Sequence, residues 1–197
     1  MNDHSLKSIL SADLYRYSTG LNSVLGMFRG YYIYPGFRFT FWYRIAKYML
    51  TCRTTVCRVL FPVVRWQYKR TQLATGIQIP LKAEIGEGLY IPHFGGIVVS
   101  TMFRAGKNLY LSHNVTIGKV HIGERKGAPV CGDGVYIGAG AVLFGAIKLG
   151  DNVAIGANSV VIRDVASNIF AVGSPARIVS SVGAIGIIGN IAEFDGH

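Results

Sequence analysis

The residues of this chain best suited to chemistry are histidines. Of five in 197 residues, His4 and His197 stand near the ends and read as solvated, while His93, His113 and His121 lie within the chain. An imidazole titrates near neutral pH, so it can take a proton from a hydroxyl and hand it back, and it is also a common metal ligand. His93 is the third residue of IPHFGG and His113 the third residue of LSHNVT. The two share one place in a six-residue unit, and that unit must position them.

The unit is clearest after Cys131, where the chain divides into CGDGVY, IGAGAV, LFGAIK, LGDNVA, IGANSV and VIRDVA. The first position reads Cys131, Ile137, Leu143, Leu149, Ile155, Val161; the fifth reads Val135, Ala141, Ile147, Val153, Ser159, Val165. A strict period of six fits neither a helix nor a simple strand alternation, so the repeat is a short strand plus a corner, stacked on its own copies. Three such faces close a triangular coil, and successive coils pair as parallel strands roughly 4.8 Å apart. First-position aliphatics then fill the prism, with the fifth-position residues beside them. Gly132, Gly138, Gly150 and Gly156 are expected at corners that need unusual backbone angles. The register extends upstream through Ile79, Ile85 and Ile91, slips by two residues, and resumes at Val99, Ala105, Leu111 and Ile117, covering most of residues 76–166. With the slip removed, His93 and His113 fall one coil apart on the same outer face. GKVHIGERKGAPV (Gly118–Val130) is too polar and glycine-rich for the wall and reads as an extruded loop carrying His121. Two stacked histidines beside such a loop imply a cleft. The flat Thr or Asn ladders of an ice-binding face are absent.

Charge divides the chain. Residues 1–75 hold 11 Lys/Arg against 2 Asp/Glu, whereas residues 76–197 hold 9 against 8. The basic part also carries Phe28, Tyr31, Tyr32, Tyr34, Phe37, Phe39, Phe41, Trp42 and Tyr43, interleaved with Arg29, Arg38, Arg44 and Lys47. No nucleic-acid motif accompanies this mixture. Helical stretches near Phe39–Cys52 and Thr55–Lys69 contain Arg44, Lys47, Arg53, Arg58 and Arg65, which interrupt any run of ~20 apolar residues able to span a bilayer. The expectation is peripheral contact with an anionic membrane surface through residues 28–70; the alternative is packing on the solenoid or on neighbouring subunits. Cys52, Cys57 and Cys131 form no CxxC pair and leave an odd thiol, which points to a reduced, cytoplasmic setting. No secretory leader pattern is read. The organisation expected is a helical, basic-aromatic segment over 1–75, a solenoid domain over 76–179 with loop 118–130, and a tail over 180–197.

Hexapeptide coils closed by AVGSPARIV (Ala171–Val179) resemble the left-handed β-helix acyltransferases of the hexapeptide-repeat family, an exception to the right-handed crossover rule. IGEGLYIPHFGGIVVS (Ile85–Ser100) followed by LSHNVTIG (Leu111–Gly118) is similar to serine acetyltransferases and, more closely, to acetyltransferases of capsule and exopolysaccharide pathways. GFRFTFWYRI (Gly36–Ile45) has the G-F…Y-R-I frame of the serine acetyltransferase helical region. The resemblance implies an all-β solenoid, a left-handed parallel β-helix with an N-terminal α-helical segment, assembled as a homotrimer. It implies acetyl-CoA as co-substrate and no metal. His93 matches the family's general base, and the polysaccharide enzymes often carry a histidine at the place of His113. Ala139 and Ala157 match small residues along the pantetheine arm. Arg163 and Arg177, near the GSPAR turn, match residues near the CoA phosphates. The loop, with Arg125 and Lys126, would reach toward a neighbouring prism and cover the site.

The departures steer the acceptor. Gln78 and Pro92 stand where serine acetyltransferases carry acids, and Ala128 stands where they carry a second histidine before the loop proline. The expected function is therefore O-acetyl transfer from acetyl-CoA to a hydroxyl of a sugar or polysaccharide precursor, lipid-linked in one version, with Gln78 free to hydrogen-bond the His93 ring. Serine O-acetyltransferase is the alternative. Rivals of other classes are a zinc-dependent, carbonic anhydrase-like enzyme using His93, His113 and His121, and an inactive membrane-associated scaffold. The 113-to-121 spacing spans a departing loop, which counts against zinc.

Overall fold

The computed structural model describes residues 6–18 and 24–188. His4 and His197 therefore lie outside the described residues. Four helices come first: α1 (Leu6–Tyr15), α2 (Val24–Ile33), α3 (Pro35–Thr51) and α4 (Thr55–Thr75). Pro35 opens α3, where its fixed φ and missing N–H cost nothing. The Thr54 hydroxyl accepts the Cys57 N–H at 3.3 Å to start α4, and Gly76, at φ 66°, ends it in the left-handed conformation.

Strands follow in chain order: β1 (Ile77–Gln78), β2 (Glu84–Ile85), β3 (Ile97–Val99), β4 (Arg104–Ala105), β5 (Tyr110–Leu111), β6 (Thr116–Gly118), β7 (Val130–Cys131), β8 (Tyr136–Ile137), β9 (Val142–Phe144), β10 (Lys148–Leu149), β11 (Ala154–Ile155), β12 (Val160–Val161), β13 (Phe170–Val172) and β14 (Arg177–Ser180). They form three sheets, ordered β1-β3-β6-β9-β12, β2-β4-β7-β10 and β5-β8-β11-β13-β14. Every pairing is parallel except β13 with β14, which closes the end antiparallel. First-position Ile79, Ile85, Ile91, Val99, Leu111, Ile117, Cys131, Ile137, Leu143, Leu149, Ile155 and Val161 are buried, as are Leu89, Phe103, Leu109, Val115, Val135, Ala141, Ile147 and Val153 in the fifth. A fully buried aliphatic of this size contributes about 1.5–3 kcal/mol.

The helices are clamped to the first coils. Asp13 of α1 and Arg44 of α3 form a buried ion pair (2.8 and 3.1 Å), and Arg44 also donates to the carbonyls of Ile85 and Gly86. Tyr43 donates to the Ala83 carbonyl at 2.8 Å, and Tyr68 of α4 donates to that of Ile79.

Several expectations need correction. Arg44, Phe37, Phe39 and Tyr43 are buried against the solenoid, not presented to a membrane, because the ion pair and ring packing remove them from solvent. Phe28, Tyr32, Val59, Val63 and Trp66 do stay exposed, and no helix among the described residues is long and apolar enough to cross a membrane. Cys52 and Cys57, expected as thiols, are joined in a disulfide: the turn between α3 and α4 holds their Cα atoms 6.1 Å apart, within bridging reach. The helices also run longer than read, α3 starting at Pro35 and α4 reaching Thr75.

Gly132, Gly138, Gly150 and Gly156 have no left-handed φ. They are close-approach positions: a Cβ on Gly138 would lie 2.7 Å from the Ala157 nitrogen. The left-handed corners fall two residues later, on Gly134 and Gly140 and on Asn108, Asn114, Asn152 and Asn158, since asparagine tolerates that region. The last coil is also shorter. Val165 sits opposite Leu149 and Ala171 opposite Ile155, so Val165 takes a first position and not a fifth. The Asp164 carboxylate accepts the Lys148 N–H at 2.9 Å in place of a strand carbonyl, which lets the chain turn early.

Candidate active site

His93 follows Ile91 and Pro92 out of the wall and precedes Gly95 (φ 113°) and Gly96 (φ 64°). Glycine is required at 96: a Cβ there would stand 2.1 Å from the Asn114 side-chain oxygen one coil away. His113 leaves the wall at the same corner, ahead of Asn114 (φ 57°). The two rings lie 5.9 Å apart at 82°, edge to face. His93 is exposed; His113 is half-buried, and its Nδ1 is enclosed without a hydrogen-bond partner.

The rung carrying His93 is held from the helical side. The Tyr17 hydroxyl accepts the Ile91 N–H at 3.0 Å and donates to the Ile91 carbonyl at 3.1 Å, and burial pushes that phenol well above its ordinary range. Gly36 of α3 approaches the same carbonyl so closely that a Cβ would sit 1.9 Å from its oxygen. Tyr90, Tyr110 and Tyr136 stack along the neighbouring outer face at 5.0 and 4.7 Å, with Tyr17 4.6 Å from Tyr90. Neither Tyr17 nor Asp13 carried any sequence signal; Arg44 stood within the G-F…Y-R-I frame, which marked its segment but not its partner.

Register ties the histidines to the predicted donor residues. Tyr90 bridges to Tyr110, Leu111 pairs with Ile137, Ile137 with Ile155, and Ile155 with Ala171. Two residues further along each rung stand His93, His113, Ala139, Ala157 and Gly173, one column at a single corner. The Gly140 N–H donates to the His113 carbonyl at 3.0 Å and the Asn158 N–H to the Ala139 carbonyl at 2.8 Å, so the column is continuous. On the last coil, one corner further along the rung, Arg163 lines a cavity of about 190 Å³ together with Arg177 and Asp164.

The segment after β6 is pinned by an antiparallel bridge between Val120 and Gly127. It folds onto later coils of its own chain: Arg125 donates to the Ile162 carbonyl and accepts from the Ala146 N–H at 3.0 Å. His121 and Lys126 are exposed on it, while Ala128 and Pro129 are buried. Among the described residues no group of three His, Cys, Asp or Glu could hold a metal ion, so the zinc reading finds no ligand set there. Gln78 is exposed and makes no hydrogen bond to His93; it lines a cavity of about 690 Å³ beside α4. No carboxylate forms an ion pair with either ring among the described residues.

A parallel hexapeptide prism with helices before it and an imidazole pair on one corner defines the class: a hexapeptide-repeat acyltransferase. No protein-family profile matches the chain. The serine acetyltransferase of Helicobacter pylori strain 26695 is 35% identical over 148 residues, spanning 75% of this chain and 83% of that protein. The serine acetyltransferase of Neisseria gonorrhoeae, solved in complex with serine, superposes with a TM-score of 0.72 at 30% identity, covering 90% of this chain and 70% of that one. A serine acetyltransferase in complex with CoA gives 0.71 at 28% identity, covering 90% and 71%. The chain belongs to the serine acetyltransferase family, whose members are acetyl-CoA-dependent O-acyltransferases. These likenesses support the serine acetyltransferase side of the expected resemblance and not the capsule and exopolysaccharide side.

Proposed function

We propose that the protein transfers the acetyl group of acetyl-CoA to a hydroxyl oxygen, with His93 as general base. The observation that carries this is the column in which two facing imidazoles are followed along the prism by Ala139, Ala157 and Gly173. His93 accepts the hydroxyl proton as the oxygen attacks the thioester carbonyl. The new C–O bond forms, the tetrahedral intermediate collapses with cleavage of C–S, and the imidazolium returns its proton to the departing thiolate. His113 supports the His93 ring through their edge-to-face contact. Ala139 and Ala157, with their small side chains, leave the lane wide enough for the pantetheine arm, and Arg163 and Arg177 take the phosphates of CoA.

The acceptor favoured by the relatives is L-serine, the ligand named for the Neisseria neighbour. A second acceptor, a sugar hydroxyl, is favoured by one local observation: Gln78, Pro92 and Ala128 bring no ionised group and no second imidazole to the positions where the family binds a zwitterion. We also propose a homotrimer, since the lane needs a second prism as its other wall; light scattering should give the mass of three 21.4 kDa chains.

The test is CoA-thiol release by the purified full chain, with L-serine and with a panel of sugar acceptors in parallel. His93→Ala should lower kcat about 10²–10⁴-fold. A variant as fast as the parent would overturn the assignment, and the acceptor that sustains turnover decides between the two readings.

A further inference from the structure

The cavity of about 690 Å³ lies between α4, the end of α3 and the first coil. Arg65 and Lys69 of α4 and Lys82 of the first coil line it; Leu50, Phe61 and Leu73 give it apolar walls; no carboxylate does either. None of the three cations is in an ion pair among the described residues. Arg65 and Lys69, four apart on one helix, repel each other by about 0.2–0.5 kcal/mol. The three cations are exposed, and charges of one sign around an apolar wall create a positive potential that favours a bound anion.

Its position gives the anion a place in the reaction. Gln78 and Val98, paired across β1 and β3, line the cavity, and so does Gly76. Gly76 stacks beneath the Gly95–Gly96 turn, where a Cβ on it would lie 3.3 Å from the Gly95 Cα and from the Gly96 nitrogen. That turn begins two residues after His93. Ala139, Ala157 and the Arg163–Arg177 cavity lie on the opposite side of the histidines, toward the last coil. The cavity is thus on the side of His93 away from the thioester lane. Its volume falls in the range of about 300–1,000 Å³ typical of sites for drug-sized ligands, far larger than inorganic phosphate or a lone amino acid needs.

We propose that this cavity is an acceptor-side subsite for an anionic amphiphile, a phosphate or diphosphate ester bearing an apolar group, whose hydroxyl-bearing end reaches His93. The proposal deepens the sugar-hydroxyl reading and rests on His93 being the base, but binding can be measured without acetyl transfer.

The probe is octyl phosphate, kept below its micellar concentration and titrated calorimetrically into the full chain. One saturable site per chain is expected, with inorganic phosphate and the neutral octyl glucoside each binding at least ten-fold more weakly. The double variant Arg65→Ala/Lys69→Ala, and independently Lys82→Ala, should weaken octyl phosphate at least ten-fold at unchanged far-UV circular dichroism. His93→Ala should bind the probe like the parent, so loss of catalysis and loss of binding are separable. Equal affinity in parent and cation variants overturns the proposal. So does displacement of octyl phosphate by CoA, which would assign the cations to the donor, and so does a changed oligomeric mass in the double variant, which would make the cavity a subunit contact.

Discussion

Replacing Asp13 by alanine tests whether the buried ion pair fixes the helical segment to the coil that carries His93. Asp13 is fully enclosed and Arg44 is 5% exposed. Asp13 accepts from two guanidinium nitrogens, at 2.8 and 3.1 Å, and from the Leu89 N–H at 2.8 Å. Burial raises the pKa of its carboxyl, opposed by the Arg44 charge and these hydrogen bonds. Burial works most strongly against the charge on Arg44, yet the charge and hydrogen bonds of Asp13, with Tyr43 and Glu87, together outweigh it and the guanidinium pKa is raised. Asp13→Ala leaves that guanidinium enclosed with only the Ile85 and Gly86 carbonyls, and leaves the Leu89 N–H without a partner. Breaking a buried pair from one side costs about 3–5 kcal/mol, and an orphaned buried amide about 1–3 kcal/mol. The two losses overlap as water or neighbours relax, so about 4–6 kcal/mol is expected from a total stability of about 5–15 kcal/mol. Asp13→Leu/Arg44→Met removes both charges and should cost at least 2 kcal/mol less than the single substitution, on the order of the coupling between groups in contact. The assay is urea unfolding followed by circular dichroism at 0.1 and 1 M salt. Enclosed charges are screened little, so the differences should survive the salt. A cost below about 1 kcal/mol for Asp13→Ala, or a double variant no more stable than the single one, would refute the reasoning.

Gly36→Ala should destabilise by about 1–3 kcal/mol, because its Cβ would press on the Ile91 carbonyl and the Tyr17 hydroxyl and push α3 off the His93 rung; urea unfolding reads this directly. Ala157→Leu should raise the KM for acetyl-CoA at least ten-fold while leaving the unfolding midpoint within experimental scatter, since the residue is exposed and only the lane narrows. Burial pushes the Cys131 thiol and the Tyr43 phenol each up to about 12. Their unfolded values are about 8.5 and 10, so their contribution to stability is whole below about pH 8.5 and falls as pH rises toward 12. Unfolding midpoints measured across that range should decline, Cys131→Ala should flatten the earlier part of the decline, and native Cys131 should resist iodoacetamide at pH 8.

Whatever repeats was legible in the sequence. Ile85, Leu111 and Ile137 recur because each coil must fill the same interior, and the coil arithmetic that follows places His113 beside His93. What the period does not encode is harder to read. Asp13 and Arg44 are 31 residues apart in different helices, and each alone looks like one more surface charge in a basic segment. The identity of Gly132, Gly138, Gly150 and Gly156 does not reveal its physical cause, since both a left-handed φ and a close backbone approach select glycine. Asn114 and Asn158 at the true left-handed corners gave the better signal. The shortened last coil depends on one side chain, Asp164, standing in for a backbone acceptor, and a count of apolar positions does not register such a substitution.

A solenoid converts chain order into axial order, and this constrains how its site can be assembled. Residues two past every third first position share a corner whatever their identity, so a site along that corner is built from segments one coil apart in sequence: His93, His113, Ala139, Ala157. The histidines come early in the prism, where the helices pack, and the small residues come later, where no helix covers the wall. Under the proposed assignment the helical segment can therefore shape only the acceptor's end of the reaction, and the later coils only the donor's. Substitutions in α4 should then alter which hydroxyl is acetylated without altering use of acetyl-CoA, and substitutions after Gly138 should do the reverse. That separation follows from topology alone, because no loop among the described residues carries α4 past the His93 turn to the donor coils.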